Sequence, residues 1–361
     1  MLLLSGEIGM YQYSEYRLFF KKLTSIDNRS ISTSLLRVKS FSVKRDLLTK
    51  AVSTFDVIAV PDAIENGDIV GMYDNFGTIV FLGVVQTIRD NTVEANQIYD
   101  IFDDNWLWNN PRKSTIEATI KQIIVNDFQN SNDTLLNTIF DAFTINTTSS
   151  TNQYLFTEEE HYVVNFASYL YGIYEKYGIQ LLFDIPFENE TPSIAIGIPS
   201  YSKLTISNNT SIFRNFTITR NVFETNKLVV YSEETGQYRE TWYATTSGIT
   251  DDPSALNRIP KIKTSIVFSD DAINIIKASN LRNQIYNHEI TVELIDNNKL
   301  LNFENLKLGQ EADIYYNDEY YNSILTGYEI NMTDNVPSGV IILKFGLVRL
   351  SLTSKLFKRL T

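Results

Sequence analysis

A short pattern occurs twice in this chain, and it restricts the available folds more than any other feature. Residues 67–83 read GDIVGMYDNFGTIVFLG and residues 309–327 read GQEADIYYNDEYYNSILTG. In each, a glycine (Gly67, Gly309) and a polar residue precede a run that ends in tyrosine (Tyr73, Tyr315). A turn containing asparagine follows, then a second run and a second glycine (Gly83, Gly327) that opens more apolar sequence. Period-two alternation around an Asn-bearing turn is the pattern of a β-hairpin. Glycine-to-glycine spacing is sixteen residues in the first copy and eighteen in the second, which predicts the longer turn in the later copy. Strand-like runs precede both, FDVIA at 55–59 and ITVEL at 290–294. One supersecondary unit used twice is therefore expected, the two segments superposing and lying in separate β regions rather than pairing in one sheet.

A chain of 361 residues has room for two or three domains, each with its own core. Its 31 Lys and Arg against 43 Asp and Glu leave a net charge of -12, which argues against a surface given over to nucleic-acid phosphates or anionic lipid. A conduit along which DNA slides without sticking is compatible with that sign. Cysteine is absent, so disulfides, thiolate catalysis and cysteine metal sites are excluded. No run reaches the roughly 18 apolar residues of a membrane span, and the opening MLLL is too short for a secretory signal.

Between the two copies the texture changes. Residues 1–105 read as short strands separated by Gly, Asn, Asp and Pro, the spacing of an antiparallel barrel. Residues 106–200 read as an α+β insertion: Ser114 to Glu117 has capping-box spacing ahead of Ile116, Ile120, Ile123, Ile124 and Phe128 at helical period. A short helix after Asp133 points Leu135, Leu136, Ile139, Phe140 and Phe143 inward, and residues 144–152 break it. A third helix follows Thr157 and stops at Gly178, and two strands follow it. Residues 201–268 form a hairpin region with a long loop at 247–262, connecting or accessory. After a helix at about 270–287, residues 269–361 complete the second barrel. The fold class is thus mainly β with an α+β insertion, two related antiparallel β-barrel domains plus a smaller α+β domain.

Catalytic chemistry finds little support. His161 and His288 share no metal-ligand spacing, and read as a helix-surface and a helix-end residue. Asp103-Asp104 and Asp251-Asp252 are the loop carboxylates a glycosidase would need, but acidic loop pairs are commonly turn-formers. No nucleophile elbow, phosphate-binding loop or dinucleotide fingerprint is present. Trp106, Trp108, Tyr315, Tyr316, Tyr320 and Tyr321 are candidates to stack on sugars, although core and subunit-interface roles suit them better. No catalytic, cofactor-binding or metal residue is assigned. The residues singled out are those of the repeat: Gly67, Tyr73, Gly83, Gly309, Tyr315 and Gly327.

Residues 55–88, and more clearly 306–330 with their Lys307-Leu308-Gly309-Gln310 entry and Leu325-Thr326-Gly327-Tyr328 exit, resemble the hub proteins at the distal end of bacteriophage tails. That family includes the central hub of contractile-tail baseplates and the tail-associated proteins of siphophages infecting Gram-positive hosts. The resemblance implies two β-barrels per subunit with a smaller domain inserted, and a homotrimer whose six barrels match a six-fold tail. It implies a non-enzymatic virion protein at the tail tip, in a compact form without a C-terminal lytic domain. Its implied partners are a distal tail or baseplate ring protein, the tail tube or tape-measure protein, receptor-binding proteins, and phage DNA in transit. The alternative is a cell-wall-degrading or carbohydrate-binding tail protein.

Overall fold

The computed structural model describes residues 16–25, 35–47, 51–74, 77–102, 106–107, 114–151, 164–187, 190–220, 226–232, 234–245, 248–256, 259–267, 281, 288–295, 306–333 and 336–346. The first β region contains β1 (Arg17–Lys21), β2 (Leu36–Asp46), β3 (Ser53–Val57), β4 (Ile69–Tyr73), β5 (Ile79–Arg89) and β6 (Thr92–Gln97). Their hydrogen bonds run β1-β4-β5-β6-β3-β2 and return to β1 through Arg17 opposite Arg37 and Leu18 opposite Leu36, so the antiparallel barrel is closed. Closure removes the exposed edges that make an open sheet prone to wrong pairing, except where β2 and β5 run on past those partners.

Side chains alternate along these strands between two different cores. Leu18, Phe20, Val70, Met72, Phe81 and Val85 fill the barrel. Phe19, Ile69, Leu82 and Val84 point outward and pack under the α+β insertion. Burial of both faces explains the unbroken apolar runs in β4 and β5, which simple alternation does not produce.

The insertion contains β7 (Trp106–Leu107), α1 (Ile116–Ile123) running into a π-helical turn (Ile124–Gln129), α2 (Thr134–Phe140), β8 (Thr144–Thr147) and β9 (Val164–Asn165). It continues with α3 (Phe166–Tyr177), β10 (Gln180–Asp184) and β11 (Ser193–Gly197). Gly178 stops α3 with φ 76°, its N–H bonded to the Tyr174 carbonyl at 2.8 Å. Three sequence-based expectations are corrected here. Residues 144–147 do not merely end a helix: they pair in parallel with β11 and extend the sheet. Leu135 is 53% exposed, because Asp133 caps α2 through the Leu135 and Leu136 N–H groups and so sets that turn outward. Capping of α1 falls to Thr115, whose Oγ1 accepts from the Ala118 N–H at 3.2 Å.

Glu117 consequently has another role. It is fully buried and accepts hydrogen bonds from the Ser149 hydroxyl and from the Thr151 N–H and hydroxyl, the latter two at 2.8 Å, tying α1 to the irregular segment that follows β8. Burial alone would push its carboxyl up, but these donors outweigh burial and hold it below the ordinary 4.5. A depressed folded-state pKa contributes stability that is present above 4.5 and lost as pH falls through the folded value. Urea midpoints measured from pH 7 to pH 3 are expected to drop below pH 4.5 in the native chain. Glu117→Gln should be less stable at pH 7 and lack that part of the drop; equal slopes would disprove the assignment.

The second β region begins before the accessory segment. It contains β12 (Leu204–Ser207), β13 (Phe213–Arg220), β18 (His288–Ile295), β19 (Glu311–Tyr316), β20 (Glu319–Thr333) and β21 (Val336–Gly346). Between β13 and β18 lie β14 (Lys227–Ser232), β15 (Tyr238–Thr245), β16 (Gly248–Thr250) and β17 (Ile262–Val267), a separate four-stranded sheet. Residues 204–220 therefore belong to the second β region, and the connecting segment placed at 201–268 narrows to this sheet. The loop at 247–262 also carries structure: β16 and a 3-10 turn (Pro253–Ala255). The helix at 270–287 lies outside the described residues except for Leu281, which is helical and packs on Leu228, Val230 and Ala244.

The second region repeats the first in pairing order: β12-β19-β20-β21-β18-β13 against β1-β4-β5-β6-β3-β2. Five of the six strands keep the same relative directions, whereas β12 lies parallel to β19 and β1 lies antiparallel to β4. The two regions are not separate sheets. Strand β2 pairs with β20 and joins all twelve strands into one hydrogen-bonded network with a common apolar cluster. The hairpins β4-β5 and β19-β20 do not pair with each other; β2, β3 and β6 stand between them.

Candidate assembly interface

Both hairpins are entered through the same corner. Gly67 and Gly309 have φ of 94° and 86°, a region that favours glycine. Each donates its N–H across the hairpin, Gly67 to the Val85 carbonyl at 2.7 Å and Gly309 to the Leu325 carbonyl at 2.9 Å. The return bonds come from the Val85 N–H to the Asp68 carbonyl and from the Leu325 N–H to the Gln310 carbonyl, both 2.8 Å. The polar residue after each glycine is buried and turns its side chain back: Asp68 Oδ2 accepts from the Glu65 N–H at 2.9 Å, and Gln310 Oε1 from the Lys307 N–H at 3.1 Å. Each also reaches the backbone flanking the first strand of its own region, Asp68 accepting from the Leu23 N–H just after β1 and Gln310 donating to the Ser202 carbonyl just before β12.

This register places Val85 where Leu325 stands, so Gly83 corresponds to Ser323 and Gly327 to Thr87. Tyr73 and Tyr315 occupy matching positions, opposite Ile79 and Tyr320. Spacing between glycines misled because the length difference sits elsewhere. The first hairpin has a connection of residues 74–78, the second a tight turn at Asn317-Asp318 with both φ positive, so the longer turn is in the first copy. A bulge falls at the same point in both, between Val85 and Thr87 and between Leu325 and Gly327.

Gly327 has a different duty from Gly83. It lies on the seam where Asp46 of β2 stands opposite it, and a Cβ there would sit 2.3 Å from Asp46 Oδ1 and 2.8 Å from the Arg45 carbonyl. The next residue, Tyr328, is 3% exposed; its hydroxyl donates to the Val80 carbonyl of the first barrel at 2.8 Å and accepts from Arg45 Nη1 at 3.4 Å. Backbone bonds continue past the strand, with the Leu47 N–H donating to the Thr326 carbonyl at 2.9 Å. Lys44 and Lys344 flank Glu329 at 3.5 and 3.4 Å, partly exposed pairs that add little beside the ladder.

The insertion holds both β regions. Tyr73 Oη accepts from the Phe187 N–H at 3.1 Å, and Gln180 Nε2 donates to the Leu308 carbonyl at 3.2 Å beside Gly309. Tyr315 and Tyr320, by contrast, are 44% and 54% exposed with ring centroids 5.3 Å apart. Tyr320 Oη donates to Asp313, which Lys203 also approaches at 2.6 Å.

Of the other sequence candidates, Asp252 and His288 lie among the described residues and each has a structural partner. Asp252 caps the 3-10 turn, accepting from the Ser254 N–H and hydroxyl, and these donors hold its carboxyl below the usual range. His288 is not at a helix end: it begins β18, is buried, and its Nε2 lies 2.8 Å from the Ser323 hydroxyl. Asp103, Asp104, Trp108 and His161 lie outside the described residues, as does the Trp106 side chain. Among the described residues no group of three or more His, Asp or Glu is placed to hold a metal, and no helix is long and apolar enough to cross a membrane.

A second correspondence emerges only from the ladders. Ser42 opposite Thr54 matches Thr217 opposite Thr291, because Thr54 pairs with Glu94 of β6 as Thr291 pairs with Lys344 of β21. Phe41-Ser42-Val43-Lys44-Arg45-Asp46 then aligns with Phe216-Thr217-Ile218-Thr219-Arg220-Asn221. The signal FSVKRD/FTITRN was present in the sequence, but the two strands lack the glycine and asparagine landmarks that reveal the hairpins.

No family model and no curated protein matches the sequence. Solved structures do. The tail protein from Neisseria meningitidis MC58 is 12% identical with a TM-score of 0.59, over 92% of this chain and 96% of that one. The 43 kDa tail protein of prophage MuSo2 from Shewanella oneidensis is 9% identical with a TM-score of 0.55, over 93% and 100%. Prophage tail protein gp18 from Listeria monocytogenes EGD-e is 12% identical with a TM-score of 0.55, over 96% and 98%. At such identities the likeness is one of fold, and it extends over nearly the whole of each chain.

Proposed function

We propose that this chain is a structural subunit of a phage-type tail tip, a homotrimeric hub at the virion's distal tail end. The observation that carries the reading is that one chain presents two β units of the same strand order and the same glycine-polar corner, joined edge to edge by β2 and β20. Duplication of one unit accounts for that arrangement. Three such chains place six similar units in a ring, matching a six-fold tube on one side and a three-fold tip on the other. The full-length likeness of fold to prophage tail proteins supports the same reading. The role is scaffolding rather than enzymatic: the ring docks on a distal tail or baseplate protein and opens for DNA, and the net charge of -12 suits a protein past which the phosphates slide.

Light scattering coupled to size exclusion tests the stoichiometry. The expected result at tens of micromolar is a species of three times the 41.4 kDa chain mass. A strictly monomeric chain at that concentration overturns the hub.

A further inference from the structure

The seam inside the chain indicates how chains meet. On β2, the N–H and C=O groups of Val43, Arg45 and Leu47 face β20, since the Leu47 N–H bonds Thr326 while the Lys44 N–H turns the other way, to Ser53 Oγ at 3.0 Å. By the aligned register, Ile218 and Arg220 of β13 turn their backbone groups away from β18 just as Val43 and Arg45 turn theirs away from β3. Among the described residues no strand pairs with β13 on that side. The opposite surface is present too. On β20 the edge taken by β2 begins at Gly327, beyond the end of β19; its counterpart on β5 is Thr87, Ile88 and Arg89, beyond the end of β4. No described strand pairs with those three residues on that side. The chain therefore carries one filled copy of an edge-to-edge joint and both unfilled halves of a second.

We propose that β13 of one copy pairs antiparallel with the end of β5 of the next copy, reproducing the β2–β20 seam between subunits. The occupant is a second copy of this chain because the complementary edge lies on the chain itself, in the register its own seam already uses. Arg220 then stands opposite Ile88 as Arg45 stands opposite Tyr328, and Thr219 opposite Arg89 as Lys44 stands opposite Glu329. The contact is head-to-tail, which generates either a closed ring or an open filament according to its rotation. Only backbone on β13 and β5 is required, so the joint tolerates the differences in side chains between the two seams. This inference rests on the hub reading and names its subunit interface.

The chain has no cysteine, so introduced thiols report one contact. Thr219 and Arg89 are both exposed and would form a non-hydrogen-bonded cross-strand pair, whose Cα separation suits a disulfide. Oxidised with diamide, the double variant Thr219→Cys/Arg89→Cys is expected to run as a covalent trimer on a non-reducing gel. A mixture of the two single variants should yield the heterodimer band that neither yields alone. A ladder above the trimer supports the edge pairing and overturns three-fold closure. A trimer by light scattering whose double variant stays uncross-linked overturns this interface and leaves the hub standing; a monomer that stays uncross-linked overturns both. Arg220→Pro provides a second measurement, since it removes an outward N–H and leaves the β18 ladder intact. It should weaken self-association roughly tenfold or more with unchanged circular dichroism; undiminished association refutes the pairing.

Discussion

Gly327→Val is expected to open the joint between the two β regions. The added Cβ meets Asp46 Oδ1 at 2.3 Å, which a side-chain rotation relieves, and the Arg45 carbonyl at 2.8 Å, which it does not. Relief requires β2 and β20 to move apart, along a ladder of six residue pairs from Phe41 opposite Met332 to Asp46 opposite Gly327. Overpacking of this kind costs about 3 kcal/mol at the upper end of its usual range. The Tyr328 hydroxyl is the neighbouring link most exposed to that movement, because its bond to the Val80 carbonyl spans the barrels. Hydrogen exchange should show the Val43, Arg45 and Leu47 amides losing protection while the β4-β5 amides keep theirs. Uniform protection together with a wild-type urea midpoint would show that the seam absorbs the methyl groups.

Phe19→Ala should have the larger effect. Phe19 is fully buried and lies on the outer face of the first barrel, its ring 5.4 Å from Tyr73 and 5.9 Å from Phe187 of the insertion. The ring lies directly over Gly71, where a Cβ would fall 2.1 Å from its tip, so the glycine makes the space the phenylalanine fills. Truncating a buried phenylalanine typically costs about 3–5 kcal/mol through lost transfer energy and the cavity left behind. The loss falls at the boundary between barrel and insertion, and the insertion should therefore come loose first. Thermal unfolding is expected to split into two transitions, with limited proteolysis cutting between α1 and β11 before the barrels. A single transition at the wild-type temperature would remove Phe19 from the docking contact.

The two experiments separate joints that differ in how far they were readable. The corners at Gly67 and Gly309 were visible because a glycine at positive φ and a polar residue that folds back are local devices, written within four residues. The helix stop at Gly178 and the cap at Asp133 were visible for the same reason. Thr115 in place of Ser114 as the cap shows the limit of that legibility, since Glu117 was drawn away by Ser149 and Thr151, residues more than thirty positions downstream. Gly83 and Gly327 were matched by count, but bulges and turn lengths shift register without leaving a mark in composition. The strand at 144–147 looked like a polar break, because its partner β11 lies far along the chain.

What the amino-acid sequence determined by itself is most of the longer β segments, the two hairpin units and the helical insert between them. Period, turn chemistry and capping act over a few residues and need no partner. Only the tertiary structure decided that β2 leaves its barrel to pair with β20, joining Arg45 to Tyr328 across 283 positions. Which edge meets which depends on the backbone groups left unpaired after each β region has formed. That is a property of the assembled strands, and no window of sequence contains it.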